Sequence, residues 1–510
     1  MTTSDWYFNL SPDDESNARL VSNVHPTDYI NPEPEPMYNL VVIGAGTAGL
    51  ISAIGAASLG AKVALVERHL MGGDCLNVGC VPSKALIRSS RAAHQIANAK
   101  AFGLTDRNID AAEFESVMAR LRSVRAHISQ HDSVARYTEQ GVQVFLGEAG
   151  FLDSHTVSVE GKQLHFRKAI IATGARALNP DIPGLASAGF LTNETVFNLT
   201  SLPARLAVIG GGPIGCEMAQ AFKRLGSDVT IIERNRFLPR EDPDASRLLA
   251  SVFKREGIHV LLQSKPMKIE LGVGEHKKLI TVQSPEGEKV IEVDEILIGA
   301  GRKPNVGGMG LEKAGVEYDE REGVKVDDFL CTSNPDIFAA GDVCMAWKFT
   351  HAADAAARIV IQNALFGGKK RLSSLIMPWC TYTDPEIAHV GMYEAQAKAQ
   401  GIETDSYKVD MTEIDRAVAD GETEGFVKIT VRKGSDKILG ATIVAAHAGD
   451  LISEISIAMA GKVGLKALND IIHPYPTQAE AIKRVAAAYN KTRLTPKVAR
   501  FLTWLLKRQI

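Results

Sequence analysis

The sequence contains 510 residues, of which 45% are hydrophobic, and its formal net charge at pH 7 is −3. A chain of this length can bury several cores and should divide into three or four domains. The small net charge gives no basic footprint for nucleic acid, and six cysteines in so long a chain argue against a disulfide framework.

The first part of the chain, residues 1–37, is polar and repeatedly interrupted by proline. It shows no convincing helical or strand periodicity, which predicts a flexible extension. The N-terminus has neither the basic start nor the apolar stretch of a signal peptide. We therefore expect a cytoplasmic protein.

A glycine-rich turn follows the apolar run at residues 40–43. Gly44 suits a tight turn, Gly46 lets the backbone approach a pyrophosphate, and Gly49 lets the following helix pack closely on the strand. A second strand then ends at Glu67, an acid suited to the hydroxyls of a ribose. This strand-turn-helix-strand pattern predicts a dinucleotide site.

Two cysteines, Cys75 and Cys80, come directly after this unit. In a cytosolic chain such a pair is catalytic or metal-binding rather than structural. Half a zinc site is the alternative, but no second cysteine pair with zinc-like spacing follows. The arrangement predicts a flavin beside a redox-active dithiol, and no structural metal.

A second copy of the nucleotide unit follows the apolar run at 206–209, with Gly210, Gly212 and Gly215 in its turn and Glu233 after its second strand. Two dinucleotide sites in one chain predict an electron relay between a mobile nicotinamide and a tightly held flavin. Glu233 favours NADH over NADPH. Arg234 and Arg236 lie just beyond it and suit a 2′-phosphate, so both nucleotides stay open.

The remaining patterns predict further helices and strands. They comprise a helical stretch at 111–140, a strand and turn at 169–174, a strand leading to a turn at 338–343, a helix at 350–365, strands at 427–431 and 438–444, and an alanine-rich helix from residue 450.

Several motifs together resemble the FAD-dependent pyridine nucleotide-disulfide oxidoreductases. They are both glycine-rich units, the run Gly-Gly-x-Cys-x-Asn-x-Gly-Cys-x-Pro-Ser-Lys at 72–84, Ala-Thr-Gly at 172–174, Gly-Asp at 341–342 and Tyr-Thr-Asp-Pro-Glu at 382–386. Within this family the sequence is most similar to mercuric reductases, followed by dihydrolipoamide dehydrogenases.

The resemblance implies an α/β fold with two Rossmann-like dinucleotide-binding domains and an α+β C-terminal dimerisation domain. The segments it implies are an extension at 1–37, an FAD-binding domain with the dithiol at 38–185, an NAD(P)H-binding domain at 186–302, a central segment completing the FAD domain at 303–374, a dimerisation domain at 375–491 and a basic amphipathic tail at 492–510.

The resemblance also implies roles for single residues. Cys80 is the thiolate on the flavin side, Cys75 is the exposed thiol that attacks substrate, and Lys84 lies near the reactive edge of the flavin with Glu217 as its ion-pair partner. The FAD contacts so implied are Gly44, Gly46, Gly49, Glu67, Gly73, Lys84, Thr173, Gly174, Asp342, Thr350 and His351, and the NAD(P)H contacts are Gly210, Gly212, Gly215, Glu233, Arg234 and Gly301.

The C-terminal motif departs from both subfamilies. Dihydrolipoamide dehydrogenases carry a histidine that pairs with a glutamate as acid and base, whereas here Tyr475 takes that position ahead of Glu480. Mercuric reductases also have this tyrosine, but they end in a vicinal cysteine pair, and the last cysteine here is Cys380. His473 as the replacement base and Tyr475 as a hydroxyl donor are both candidates, with structural roles as the alternatives.

Three functions stay open at this point. The first is reduction of thiol-bound Hg(II), held transiently at Cys75 and Cys80, by a homodimer whose active site is shared across the interface. The second is reduction of a disulfide, as in dihydrolipoamide dehydrogenases. The third is a flavoprotein that docks on a membrane through its basic amphipathic tail, although packing of that tail on its own dimer is the favoured account.

Overall fold

The computed structural model describes residues 10–105, 113–272 and 277–509. The first two residues of the helical stretch expected at 111–140 therefore lie outside the described ranges. Contacts divide the chain into two compact units, one of residues 1–211, 218–234 and 261–375, the other of residues 212–217, 235–260 and 376–510. The finer segments expected from the sequence stay a prediction.

Most helices form where apolar residues recur at helical spacing, so that one face of the helix is apolar and the other is polar. They are α1 (Glu15–Val24), α2 (Thr47–Ser58), α3 (Gly73–Asn77), α4 (Cys80–Ala97), α5 (Glu113–Ile128), α6 (Val134–Glu139), α7 (Leu185–Ala188), α8 (Pro213–Arg224), α9 (Pro243–Arg255), α10 (Thr350–Phe366), α11 (Glu394–Ala399), α12 (Asp415–Asp420), α13 (Ala448–Ala460), α14 (Leu465–Asp470), α15 (Glu480–Thr492) and α16 (Pro496–Lys507).

The strands are short and mostly buried. They are β1 (Tyr38–Ile43), β2 (Val63–Glu67), β3 (Val142–Leu146), β4 (Ala149–Asp153), β5 (Thr156–Val159), β6 (Lys162–Ile171), β7 (Ala175–Ala177), β8 (Arg205–Ile209), β9 (Asp228–Ile232), β10 (His259–Leu261), β11 (Lys265–Leu271), β12 (Lys278–Ser284), β13 (Gly287–Val293), β14 (Glu295–Ile298), β15 (Arg302–Pro304), β16 (Tyr318–Asp319), β17 (Gly323–Val324), β18 (Ile337–Ala339), β19 (Pro378–Thr381), β20 (Glu386–Gly391), β21 (Thr404–Asp410), β22 (Phe426–Arg432) and β23 (Ile438–Ala445).

The first nucleotide unit lies in a seven-stranded sheet with the order β3-β2-β1-β6-β5-β4, in which β18 also pairs with β6. Strand β1 pairs in parallel with both β2 and β6. Its side chains from Leu40 to Ile43 are all buried, as expected for a parallel strand covered on both faces. The expected strand-helix-strand pattern is confirmed.

The second nucleotide unit, which begins with β8, repeats this arrangement in a four-stranded sheet of order β10-β9-β8-β14. Strand β8 pairs in parallel with β9 and β14. The C-terminal part forms an antiparallel five-stranded sheet of order β19-β20-β23-β22-β21, and α13 and α15 pack on it. The α/β class with an α+β C-terminal domain is therefore confirmed.

Residues 10–37 contain a helix, although the sequence shows no convincing helical periodicity there. Helix α1 begins after Asp14, whose carboxylate caps it by accepting from the backbone N–H of Asn17. Its apolar residues Leu20 and Val24 lie one turn apart and are completely buried. Further along, Tyr29 donates to the carbonyl of Val144 at 3.0 Å. This helix was hard to predict because it is short and its apolar face is narrow.

Candidate active site

The turn after β1 has the geometry of a phosphate-binding loop. Gly44 has φ +102°, and a Cβ there would lie 2.5 Å from the carbonyl oxygen of Ala172. A Cβ on Gly49 would lie 1.7 Å from the carbonyl oxygen of Gly44, so only glycine lets α2 pack this closely. Gly46 precedes α2, and no side chain caps the helix. The first amides of α2 are therefore suited to a pyrophosphate.

Glu67 closes this loop at the end of β2. Its carboxylate accepts from the backbone N–H of Ala45 at 2.6 Å and from that of His69 at 2.8 Å. Burial raises the pKa of Glu67 above its ordinary value, although these two hydrogen bonds oppose that shift. The acid thus lies beside the glycine-rich turn, as the ribose prediction requires.

Two glycines bring the dithiol segment against the phosphate loop. Gly72 and Gly73 have φ +91° and +55°, and the N–H of Gly72 donates to the carbonyl of Ala45 at 2.8 Å. A Cβ on Gly73 would lie 2.6 Å from the Cα of Gly46. The close approach places Cys75 and Cys80 directly after the nucleotide-binding turn.

Cys75 lies in the short helix α3, and Cys80 is the first residue of the 18-residue helix α4. Neither cysteine is part of a disulfide in the structure. The Sγ of Cys80 lies 3.3 Å from the hydroxyl of Thr350, the first residue of α10. Two helix N-termini therefore meet near Cys80, and their dipoles favour a thiolate there.

Cys80 is exposed and Cys75 is partly buried. The roles expected for them, Cys80 on the flavin side and Cys75 as the thiol that attacks substrate, stay a prediction. The pKa of the Cys75 thiol is raised by its hydrogen bond with Cys80, then by burial and by negative charge on Cys80. Cys75 therefore keeps its proton when Cys80 carries a charge.

An arginine that the sequence reading missed connects the dithiol segment to Asp342. The guanidinium of Arg302 pairs with the carboxylate of Asp74, the residue before Cys75, and its Nε lies 3.2 Å from Asp342. Burial raises the pKa of Asp342, while the charge of Arg302 opposes the shift. No local sequence pattern signals this contact because its partners are far apart in the chain.

The other expected FAD residues lie on neighbouring turns of the same compact unit. Thr173 donates to the carbonyl of Asn305 at 2.8 Å, and Gly174 has φ +67°. His351 stacks on Phe349 with ring centroids 5.3 Å apart. Lys84 lies on α4, one turn after Cys80.

The second glycine-rich turn repeats the geometry of the first. Gly210 has φ +112°, and the carboxylate of Glu233 accepts from the N–H of Gly211 at 2.7 Å. Gly212 and Gly215 lie at the start of α8, and Gly301 has φ +101°. Arg234 is exposed.

Arg236, one of the two arginines suited to a 2′-phosphate, is held by backbone carbonyls. Its Nε donates to the carbonyl of Pro239 at 3.1 Å, and its Nη2 donates to that of Glu241 at 3.3 Å. These two hydrogen bonds hold the Arg236 guanidinium against the loop that carries it.

His473 and Tyr475 of the C-terminal motif have different surroundings. The His473 ring is almost completely buried, and its Nε2 lies 2.9 Å from the carboxylate of Glu454 on α13. Tyr475 is exposed and donates to Asp415 at 2.7 Å. That hydrogen bond, with the charge of Asp415, raises the pKa of Tyr475. Sequence reading missed both acidic partners.

Two other expected residues have partners of their own. Glu480 accepts from Arg484, one turn later on α15, at 3.0 Å. Glu217 accepts from the backbone N–H of Tyr382 at 2.9 Å. The ion pair between Lys84 and Glu217 stays a prediction.

Within the described residues, no group of three or more histidine, cysteine, aspartate or glutamate side chains could hold a metal ion. Over the same ranges, no helix combines the length and apolar character needed to cross a bilayer.

Comparison with known protein families decides the identity of the fold and site. Residues 38–357 match the pyridine nucleotide-disulphide oxidoreductase family, and residues 377–486 match the dimerisation domain of the same family. The chain belongs to this family. The dimerisation domain supports a homodimer.

Individual members of the family give the same result. The chain is 34% identical to a mercuric reductase of Lysinibacillus sphaericus over 92% of this chain and 85% of that protein. It is 35% identical to a mercuric reductase of Streptomyces lividans over 89% of this chain and 96% of that protein. A solved structure, the Cu(II) complex of the HOCl-induced flavoprotein disulfide reductase RclA from Escherichia coli, is 29% identical with a TM-score of 0.78 over 87% of this chain and 98% of that one.

Membership in this family establishes the two cofactors, and the residues of the site fit both of them. The protein is a flavoprotein oxidoreductase that uses FAD and NAD(P)H. The narrow turn at Gly44, the uncapped start of α2 and the acid Glu67 suit the FAD pyrophosphate and ribose. Gly210 and Glu233 offer the same donor and acceptor set to the nicotinamide nucleotide.

Proposed function

We propose that this protein passes two electrons from NAD(P)H through the Cys75–Cys80 couple to thiol-bound Hg(II). The observation that carries the proposal is a pair of thiols directly after the FAD phosphate loop, with the N-termini of α4 and α10 meeting at Cys80. Similarity to mercuric reductases along most of the chain supports the choice of acceptor. FAD in this site supplies the two-electron relay between nicotinamide and sulfur.

The sulfur chemistry balances in two halves. NAD(P)H and one proton convert the Cys75–Cys80 disulfide into two thiols and release NAD(P)⁺. The deprotonated thiols then displace the small thiols that carry Hg(II). As the S–Hg bonds break, Hg(0) leaves with the electron pair and the disulfide forms again. The protons of Cys75 and Cys80 leave with the two displaced small thiols. The sum is therefore NAD(P)H, one proton and Hg(II) bound by two thiolates giving NAD(P)⁺, Hg(0) and two small thiols.

Attack by Cys75 needs a base, because the pKa of its thiol is raised. We propose His473 for this role, since its imidazole can accept a proton and Glu454 orients it at 2.9 Å. Tyr475 stays protonated at neutral pH and suits a hydrogen-bond donor to the metal-bound sulfur. In the proposal both residues act on the dithiol of the partner subunit.

The test is anaerobic NAD(P)H oxidation driven by Hg(II) in excess small thiol. We expect steady turnover with release of Hg(0), and the Cys75→Ser protein should lose it by at least about 10³-fold because the nucleophile is missing. The matched control is Cys331→Ser, at a partly buried thiol in β-bridge contact with Phe338.

Two results would argue against Hg(II) as the electron acceptor of the dithiol. If NAD(P)H reduces the flavin but Hg(II) gives no turnover, the acceptor is a disulfide or another oxidant. That outcome would favour a disulfide reductase, the function in the name of the RclA structure. If Cys75→Ser keeps full turnover with Hg(II), the dithiol is not the electron carrier.

A second candidate is a membrane-docked NAD(P)H dehydrogenase, and helix α16 is the observation that favours it. Val498, Phe501, Leu502 and Trp504 on this helix are all exposed, and the guanidinium of Arg508 lies 4.1 Å from the Trp504 ring centroid. Basic amphipathic helices of this kind bind anionic bilayers. Vesicles containing phosphatidylserine should then carry the full chain in flotation but not a chain ending at residue 494. A cytoplasmic enzyme whose α16 packs on a second subunit predicts no flotation.

A further inference from the structure

The N-terminal extension contacts the stretch of chain between the ribose acid and the dithiol at several places. The carbonyl of Val24 accepts from the backbone N–H of Met71 at 3.2 Å. The ring of His25 hydrogen-bonds to the carbonyl of His69, whose own N–H donates to Glu67. The end of α1 is therefore joined to the segment that leads from Glu67 to Cys75.

A second link joins α1 to the dithiol segment through a buried arginine. The Nη2 of Arg125 donates to the side-chain oxygen of Asn17 at 2.7 Å, and its Nη1 donates to the carbonyl of Asn77 at 2.9 Å. Asn77 is the last residue of α3 and lies between the two cysteines. One guanidinium thus connects the extension to the backbone that carries Cys75.

Asn77 continues this link back to the glycine turn. Its side-chain N–H₂ donates to the carbonyl of Gly73 at 2.9 Å and to that of Met71 at 3.1 Å. Asn77 is 2% exposed. The backbone at both ends of α3 is therefore held by buried hydrogen bonds, and Arg125 is the charged group among them.

Because this link is buried, the loss of any one of its hydrogen-bond partners is costly. Arg125 is 1% exposed and Asn17 is 4% exposed. A buried guanidinium that loses an acceptor cannot turn to water for a replacement, so it has to shift or draw in solvent. Either response displaces the carbonyl of Asn77 and, with it, the end of α3.

We infer that Asn17 and Arg125 are positioning residues that make the N-terminal extension part of the redox site, by fixing the geometry of the Cys75–Cys80 segment. The inference rests on the proposed role of these two thiols as a redox couple. Arg125 makes both contacts in a structure where Cys75 and Cys80 are not bonded to each other. We include in the inference that disulfide formation moves the end of α3 and weakens these contacts, so that losing them favours the disulfide.

The test measures the dithiol–disulfide equilibrium of the FAD-loaded full chain. Wild type, Asn17→Ala and Asn23→Ala are equilibrated in glutathione buffers, alkylated, and the Cys75 and Cys80 peptides are quantified by mass spectrometry. Asn23 is the matched control, because it lies on the same helix and donates to Ser129 at 2.8 Å instead of reaching the dithiol segment. Asn17→Asp keeps an acceptor for Arg125.

We expect Asn17→Ala to shift the equilibrium constant about tenfold toward the disulfide, or about 30 mV for a two-electron couple. Asn23→Ala should match wild type, and the equilibrium constant of Asn17→Asp should lie close to the wild-type value. If Asn17→Ala equals Asn23→Ala, or shifts toward the dithiol, the inference is wrong.

Two further outcomes are separated by the same experiment. If Asn17→Ala does not give folded flavoprotein, Arg125→Lys replaces it with the same expected shift, since a lysine cannot bridge Asn17 and Asn77 in the same geometry. If wild type forms no reversible disulfide between Cys75 and Cys80, the proposed function fails, and the inference fails with it.

Discussion

The two thiols of the active site differ through their immediate surroundings. Cys80 opens α4 beside Thr350, whereas Cys75 lies within α3 and has a raised pKa. Proximity of the dithiol to the FAD turn could be predicted from the sequence, because the two motifs are adjacent. The contacts of Arg302 and of Glu454 could not, because each joins residues far apart in the chain.

Nucleotide preference depends on Glu233. Its carboxylate at the end of β9 should repel a 2′-phosphate, so we expect NADH to be the better substrate. Glu233→Gln keeps an acceptor for the N–H of Gly211 and removes the charge. The ratio of kcat/KM for NADPH to that for NADH should rise about tenfold, which equals about 1.4 kcal/mol. An unchanged ratio would mean that Arg234 or Arg236 sets the preference instead.

His389 should make stability depend on pH. Burial lowers its pKa from 6.5 to about 4, and its ring lies 2.9 Å from the Thr442 hydroxyl. Because the folded-state pKa is depressed, the stability it contributes is present above pH 6.5 and is lost as the pH falls through about 4. The full effect is about 3 kcal/mol.

The measurement is the denaturant midpoint of wild type and His389→Gln at several pH values. Between pH 6.5 and 4 the wild-type midpoint should fall more steeply than that of the variant, in which residue 389 no longer titrates. Parallel curves would show that His389 does not titrate as described.

Among the helices and strands, those with strong periodicity could be predicted and those held by tertiary contacts could not. Strands β1, β8 and β9 and helix α10 lie close to their expected bounds. Helix α1 was missed, because a short helix among prolines gains its stability from packing rather than from propensity.

Packing of α1 depends on Leu20. This side chain is fully buried, so we expect Leu20→Ala to lower the free energy that keeps the helix packed by about 2–5 kcal/mol. We expect limited proteolysis to cleave residues 10–37 much faster in Leu20→Ala than in wild type. Ser22→Ala, at an exposed position on the same helix, is the control. Equal cleavage rates for all three proteins would contradict the described packing.

For the complete chain, the dimerisation domain at residues 377–486 implies that the subunits work in pairs. If Cys75 of one subunit acts with His473 of the other, each site needs both chains. The sequence could imply this only through the family resemblance.

Complementation tests the shared site. Cys75→Ser chains and chains carrying His473→Ala with Tyr475→Phe should each be inactive as homodimers. Co-expressed in equal amounts, half of the dimers are mixed and each holds one intact site, so about a quarter of wild-type turnover should return. No recovery in isolated mixed dimers would mean that both groups act within one chain.

The most direct test of the account is whether electrons from NAD(P)H reach Cys75 and Cys80. The oxidised protein is mixed anaerobically with one equivalent of NADH or NADPH, alkylated, and the two cysteine peptides are quantified. We expect both thiols to become alkylated only after the nucleotide is added, and Cys331 to be labelled equally with and without it. Flavin reduction with both cysteines still in the disulfide would contradict it.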